Sequence, residues 1–127
     1  MREALQRLFA VFLVAAGLFG GAGMAAPTAA ALGWGAIAIS PDTGRVGYSK
    51  GLNSAIEAER AAVGLCKARD CRAVVNFTNA CGAVAQSFQN TSWASGSDRN
   101  STGAQNRALV SCSHYGGACR VVGWICS

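Results

Sequence analysis

Six cysteines, one histidine and a few carboxylates are the residues of this 127-residue chain whose types could do chemistry. The cysteines are Cys66, Cys71, Cys81, Cys112, Cys119 and Cys126. Structural zinc favours two closely spaced Cys-x-x-Cys knuckles. Here the close pairs, Cys66/Cys71 and Cys112/Cys119, are spaced too widely for that pattern, so no metal site is expected. An even count of cysteines in a small exported domain reads as a disulfide framework.

His114 is the single histidine and a weak catalytic candidate. A nucleophilic hydrolase needs its histidine between a nucleophile and an orienting carboxylate. Ser111 and Ser113 are close in sequence but fall on a predicted helix end, and no G-x-S-x-G elbow is present. His114 therefore reads as an exposed turn residue. The carboxylates beyond the N-terminal segment are Asp42, Glu57, Glu59, Asp70 and Asp98. Asp42 and Asp70 fall in turns and Glu57 in a helix cap. Glu57 and Glu59, two residues apart, cannot share a helix face, so no carboxylate pair for glycoside hydrolysis stands out. No phosphate-binding loop, dinucleotide fingerprint or calcium loop occurs, and no cofactor is expected.

The elements that must hold these residues are set by composition and pattern. The chain is long enough for one domain. With 51% hydrophobic residues, 13% charged and a mean hydropathy of +0.26, its body is too apolar for disorder. Residues 1–31 read as a signal peptide: Arg2 and Arg7, an apolar run over 8–19, then small residues, with cleavage after Ala25, Ala30 or Ala31. The apolar run is short for a membrane span of about 20 residues. Residues 32–127 form the predicted mature domain.

Within it, two stretches echo each other at about 34–80 and 81–127. Gly35-Ala36-Ile37-Ala38-Ile39-Ser40 is similar to Gly82-Ala83-Val84-Ala85-Gln86-Ser87, Glu59-Arg60-Ala61-Ala62-Val63 to Asn106-Arg107-Ala108-Leu109-Val110, and Cys71-Arg72-Ala73-Val74 to Cys119-Arg120-Val121-Val122. Cys66 answers to Cys112 and Cys81 roughly to Cys126. Each unit reads as ββα-β. In the first, an alternating strand over 34–40, a Pro-Asp-Thr-Gly turn and a return strand over 45–49 precede a helix. That helix opens on a Ser54…Glu57 capping box, ends near Cys66 and turns Ala58, Ala62, Leu65 and Cys66 to one face. A β-branched strand over 71–77 closes the unit. The second unit has a strand over 82–87, a long polar loop over 88–101 with room for a short strand near Trp93, a helix over 102–112 opening on a Thr102…Gln105 box, and a strand over 119–126. The fold class is α+β, with two helices packed on a mainly antiparallel sheet.

Six cysteines can pair in fifteen ways. The two units suggest Cys66–Cys71 and Cys112–Cys119 as clips from helix end to strand start, leaving Cys81–Cys126. The charge is basic: beyond the N-terminal segment nine Lys and Arg face five Asp and Glu. Lys67, Arg69, Arg72 and Arg120 fall near strand starts, where they could form one positive face. Asn-x-Ser/Thr triplets begin at Asn76, Asn90 and Asn100 and matter only where export includes N-glycosylation.

Trp34-Gly35-Ala36-Ile37-Ala38, the Ala61-Ala62…Cys66…Cys71 series, Cys81-Gly82-Ala83-Val84-Ala85 and Ala108-Leu109…Cys112…Cys119 together resemble a bacterial exported family, domain of unknown function 4189. The resemblance spans about 34–126 and implies a small secreted or envelope protein. It carries no catalytic signature and transfers the cysteines only as structural positions. A bacterial origin makes the Asn triplets incidental.

The reading that fits best is a secreted, disulfide-stabilised binding or interaction module, directed at the envelope or a host, rather than an enzyme. Phe88, Trp93 and Arg99 are the candidate contact residues, because aromatics and Arg anchor interfaces. The expected partner is a protein or an envelope or host component, with an anionic polymer or membrane surface also open. No specific nucleic-acid binding is expected, and the chain is expected to be a monomer. The alternatives are a small secreted hydrolase or toxin using His114, and an inhibitor or immunity-type protein.

Overall fold

The computed structural model describes residues 33–127; the predicted signal peptide and its cleavage positions lie outside the described residues. The chain runs β1 (Trp34–Ile39), β2 (Val46–Leu52), α1 (Ala55–Cys66), β3 (Arg72–Thr78), β4 (Cys81–Ser87), β5 (Trp93–Asp98), α2 (Ser101–Gly116) and β6 (Cys119–Cys126). The class is α+β with two ββα-β units, and the strands divide into two three-stranded antiparallel sheets, β2-β1-β3 and β5-β4-β6. β1 and β4 are each bonded on both edges by strands of their own half, so each half completes its own sheet.

Alternation along β1 and β4 sorts side chains by size, and that sorting makes the layers. Ala36 and Ala38 of β1 pack with Ala58, Ala62 and Cys66 of α1. Ala83 and Ala85 of β4 pack with Ala104, Ala108 and Cys112 of α2. The opposite faces carry Ile37, Ile39, Val84 and Phe77, which meet as the core between the sheets. The order is therefore helix, sheet, sheet, helix. Across the middle β1 faces β4, β3 lies against β5, and β2 against β6.

Small residues let the helices sit almost on the sheets. A Cβ on Gly47 would stand 2.1 Å from the Ala62 carbonyl oxygen, and one on Gly96 would stand 2.8 Å from that of Ala104. This closeness explains one departure from the expected α1 face. Leu65 is 57% exposed, because the buried stripe is the strict i, i+4 series Ala58, Ala62, Cys66 and leaves no room for a leucine.

Caps set the helix starts. Ser54 accepts a hydrogen bond from the Glu57 amide at 3.2 Å, as expected. For α2 the cap is Asn100, not Thr102: the Asn100 side chain accepts from the Gly103 amide at 2.8 Å, so the helix begins at Ser101. The far end also differs. α2 continues one turn past Cys112 because Gly116, which has no Cβ to strike Ser87, extends the buried small-residue stripe. Among the described residues no helix is long and apolar enough to cross a bilayer.

Three disulfides form: Cys66–Cys71, Cys112–Cys119 and Cys81–Cys126. The first two tie a helix end to the next strand. The third joins directly opposed residues of β4 and β6. Cys81 and Cys126 are thus register partners rather than equivalents of each other; Trp34 and Thr78 face each other at the matching place in the first sheet.

Candidate functional site: a cationic, aromatic end

Strand register brings several separate loops to one end of the sandwich. Ile39 pairs with Val46 and Arg72 in the first sheet, and Gln86 pairs with Trp93 and Arg120 in the second. The Gln86 amide donates to the Pro41 carbonyl at 2.9 Å, so these two strand ends coincide. Both helices also finish here, as each is clipped to the start of β3 or β6.

Arg45, Lys67, Arg69, Arg72 and Arg120 consequently share this end, all of them exposed. The grouping of Lys67, Arg69, Arg72 and Arg120 considered from sequence follows from the topology. The acids at the same end are Asp42 and Asp70. Asp70 is already engaged: Ser40 donates its hydroxyl to one carboxylate oxygen and the Asp42 amide donates to the other at 2.9 Å. The Ser40 hydrogen bond, with help from the Asp42 amide, holds the Asp70 carboxyl below the usual carboxylate range. Arg45 is partly committed too, donating to the Lys67 carbonyl at 3.0 Å beyond the end of α1. The ion pair found among the described residues, Arg107–Asp98 at 3.2 Å, involves none of these cations.

Two of the arginines lie over aromatic rings. The Arg72 guanidinium is 5.7 Å from the Trp93 ring centre, and Arg120 is 5.1 Å from that of Phe88. Both distances fall within cation–π range. Trp93 is half-buried against the inter-sheet core, whereas Phe88 is 63% exposed.

Of the sequence candidates, Phe88 and Trp93 meet at this end. Arg99 follows the far end of β5, a strand length away, about 20 Å. The segment expected as a polar loop with room for a short strand near Trp93 holds that strand: β5 covers Trp93–Asp98 at the edge of its sheet. Arg72 and Arg120 are the partners that the sequence reading did not assign to the aromatics. The signal was present in the matching Cys71-Arg72 and Cys119-Arg120 pairs, but only the folded register shows which rings they cover.

His114 lies exposed in the last turn of α2 rather than in a turn beyond the helix. Ser113 donates its hydroxyl to the Val110 carbonyl at 2.7 Å. Among the described residues neither Ser111 nor Ser113 is hydrogen-bonded to His114, and no cluster of three potential metal ligands occurs. The three Asn side chains of the Asn-x-Ser/Thr triplets all have structural duties. Asn76 donates to Glu59 at 2.7 Å, Asn90 accepts from the Ser92 amide at 2.8 Å, and Asn100 caps α2.

Two shallow clefts lie along the sheet edges. One, of about 560 Å³, runs along β5 beneath α2 and includes Val75, Ser95, Ser97, Asn106, Arg107 and Ser111. The other, of about 370 Å³, is bounded by Tyr48, Gln105, Gly123 and Trp124. Neither lining contains a histidine or carboxylate that could activate a nucleophile.

A disulfide-braced α+β sandwich of two three-stranded sheets between two helices is the class that the fold defines. The family described as Domain of unknown function (DUF4189) matches residues 34–126, and the chain belongs to it. The chain is also similar to a solved structure, the NMR structure of Rv1813c from Mycobacterium tuberculosis, at 27% identity and a TM-score of 0.53, with 76% of each chain covered. No curated protein matches it.

Proposed function

We propose that the chain works outside the bacterial cytoplasm as a disulfide-stabilised binding module, and that its contact surface is the cationic, aromatic end. One observation carries this reading: register and disulfide clips gather Lys67, Arg69, Arg72 and Arg120 at one end, with two of their guanidinia over Trp93 and Phe88. Exposed cations concentrated on one face raise the local density of an anionic partner and speed encounter. The three disulfides agree with an oxidising compartment. Two of them, Cys66–Cys71 and Cys112–Cys119, also keep the loops that carry the cations from splaying.

The test is binding of the oxidised chain to a soluble model polyanion, dextran sulfate. Reversing Arg69 and Arg120 together (R69E/R120E) should weaken binding at least about tenfold. The same charge change made elsewhere, K50E/R60E, should cost about threefold or less. Equal losses would reduce the effect to net charge and contradict the reading.

A further inference from the structure

The cations alone do not account for this end, because exposed apolar side chains stand among them. Phe88 is 63% exposed, Tyr115 in the last turn of α2 is 72% exposed, and Leu65 in the last turn of α1 is 57% exposed. The two helices form the outer layers, so Leu65 and Tyr115 flank the end from opposite sides. Phe88 comes from the β4–β5 connection between them. Water opposes such exposure, and a soluble polyanion offers the rings and the leucine nothing in return. A lipid interface satisfies both sets of groups: aromatic rings rest at headgroup depth while Lys and Arg meet lipid phosphates.

We infer that this end docks on an anionic lipid surface, with Phe88 entering the headgroup region and Lys67, Arg69, Arg72 and Arg120 over the phosphates. This deepens, and rests on, the reading of the end as an anion-binding surface. Charge complementarity identifies the occupant, since each Lys or Arg near an anionic leaflet contributes about 1 kcal/mol. Arg120 has a double part. Its guanidinium covers one face of the Phe88 ring, so the ring's exposed area can enter the interface while the cation stays at phosphate level, the arrangement seen when long basic side chains snorkel.

The experiment is sedimentation of the full oxidised chain with vesicles of phosphatidylcholine alone or with about one-third phosphatidylglycerol, alongside dextran sulfate binding. Phe88→Ser is the key variant, because this side chain is outside the core and its loss leaves the fold intact; a thermal melt checks that. The expected result is binding to the anionic vesicles only, reduced about tenfold by Phe88→Ser, while dextran sulfate affinity, which loses only the exposed ring under Arg120, falls by about threefold or less. Equal binding to neutral vesicles overturns the inference, as does vesicle binding that is indifferent to Phe88→Ser. Binding to dextran sulfate without binding to vesicles overturns it too but leaves the polyanion reading standing. Binding to neither removes both.

Discussion

The Ser40 hydroxyl donates to the Asp70 carboxylate, while Ser87 at the matching end of β4 donates to the Gly116 carbonyl at 2.7 Å. Each serine also accepts from the turn that follows it: Ser40 from Thr43 (amide 3.2 Å, hydroxyl 2.7 Å) and Ser87 from the amides of Gln89 and Asn90 at 3.0 and 3.3 Å. One hydroxyl thus joins a strand end, its turn and the neighbouring disulfide-closed loop in each half. In the first half alone the acceptor is charged, so that junction responds to pH.

Because the Asp70 carboxyl titrates below its ordinary 3.8, the folded state binds its proton less readily than the unfolded state. Its stabilising contribution is then present above that ordinary value and is lost as the pH falls below it toward the folded-state pKa. Urea midpoints measured down the acid limb should fall more steeply for the natural chain than for Asp70→Asn, which has no charge to lose. Parallel acid limbs would contradict the role given to this carboxylate. Ser40→Ala, which removes a fully buried hydroxyl, should cost about 1–3 kcal/mol at neutral pH.

The disulfides should dominate stability. In the chain-entropy view, closing the Cys66–Cys71 and Cys112–Cys119 loops contributes about 2–2.5 kcal/mol each and Cys81–Cys126 about 4. These are large against a domain stability of about 5–15 kcal/mol. Excess reductant should unfold or strongly destabilise the chain, and C81S/C126S should lower stability more than C66S/C71S. An unchanged melting curve under reduction would contradict the prediction.

The helix-to-sheet contact makes a further demand at Gly47. A Cβ there meets the Ala62 carbonyl oxygen and the Cys66 amide nitrogen, both backbone atoms that cannot turn aside. Gly47→Ala should therefore cost about 1–3 kcal/mol in chemical unfolding. Gly64→Ala on the open side of α1, where a Cβ meets nothing within 4 Å, should be neutral or stabilising, by up to about 1 kcal/mol.

Core and surface hydrophobics should separate cleanly. Phe77 lies against Gly35 and Gly82 in the inter-sheet core, so Phe77→Ala should cost about 3–5 kcal/mol. Leu65→Ala should stay within about 0.5 kcal/mol, since that side chain is mostly exposed. Thermal melts of the two variants check this directly.

His114→Ala should leave polyanion binding and stability essentially unchanged, within about 0.5 kcal/mol. A hydrolytic activity abolished by that substitution would instead favour the enzymatic reading.

Much of the architecture was legible because it rests on local patterns. The Ala-Ile-Ala-Ile alternation of β1 marks which residues face a helix and which face another sheet, and the echo in β4 marks the second unit. The pairing of Cys66 with Cys71 and of Cys112 with Cys119 follows from short spacing at a helix-to-strand junction. What stayed hidden is set by register or by close approach. Nothing local says that β3 and β4 belong to different sheets. The cap at Asn100 competed with an equally suitable Thr102, and Leu65 was a reasonable core residue until the narrow gap beneath α1 excluded it. At the candidate site, the basic residues could be named, yet Arg99 and Phe88 look close in sequence and are separated only because β5 runs between them.

The most direct measurement is amide chemical-shift mapping of the oxidised chain titrated with dextran sulfate. The perturbed amides should gather at 40–45, 67–72, 87–93 and 113–120, the four segments that form the cationic end. Perturbations centred on the β5 cleft or around Arg99, with that end silent, would contradict it.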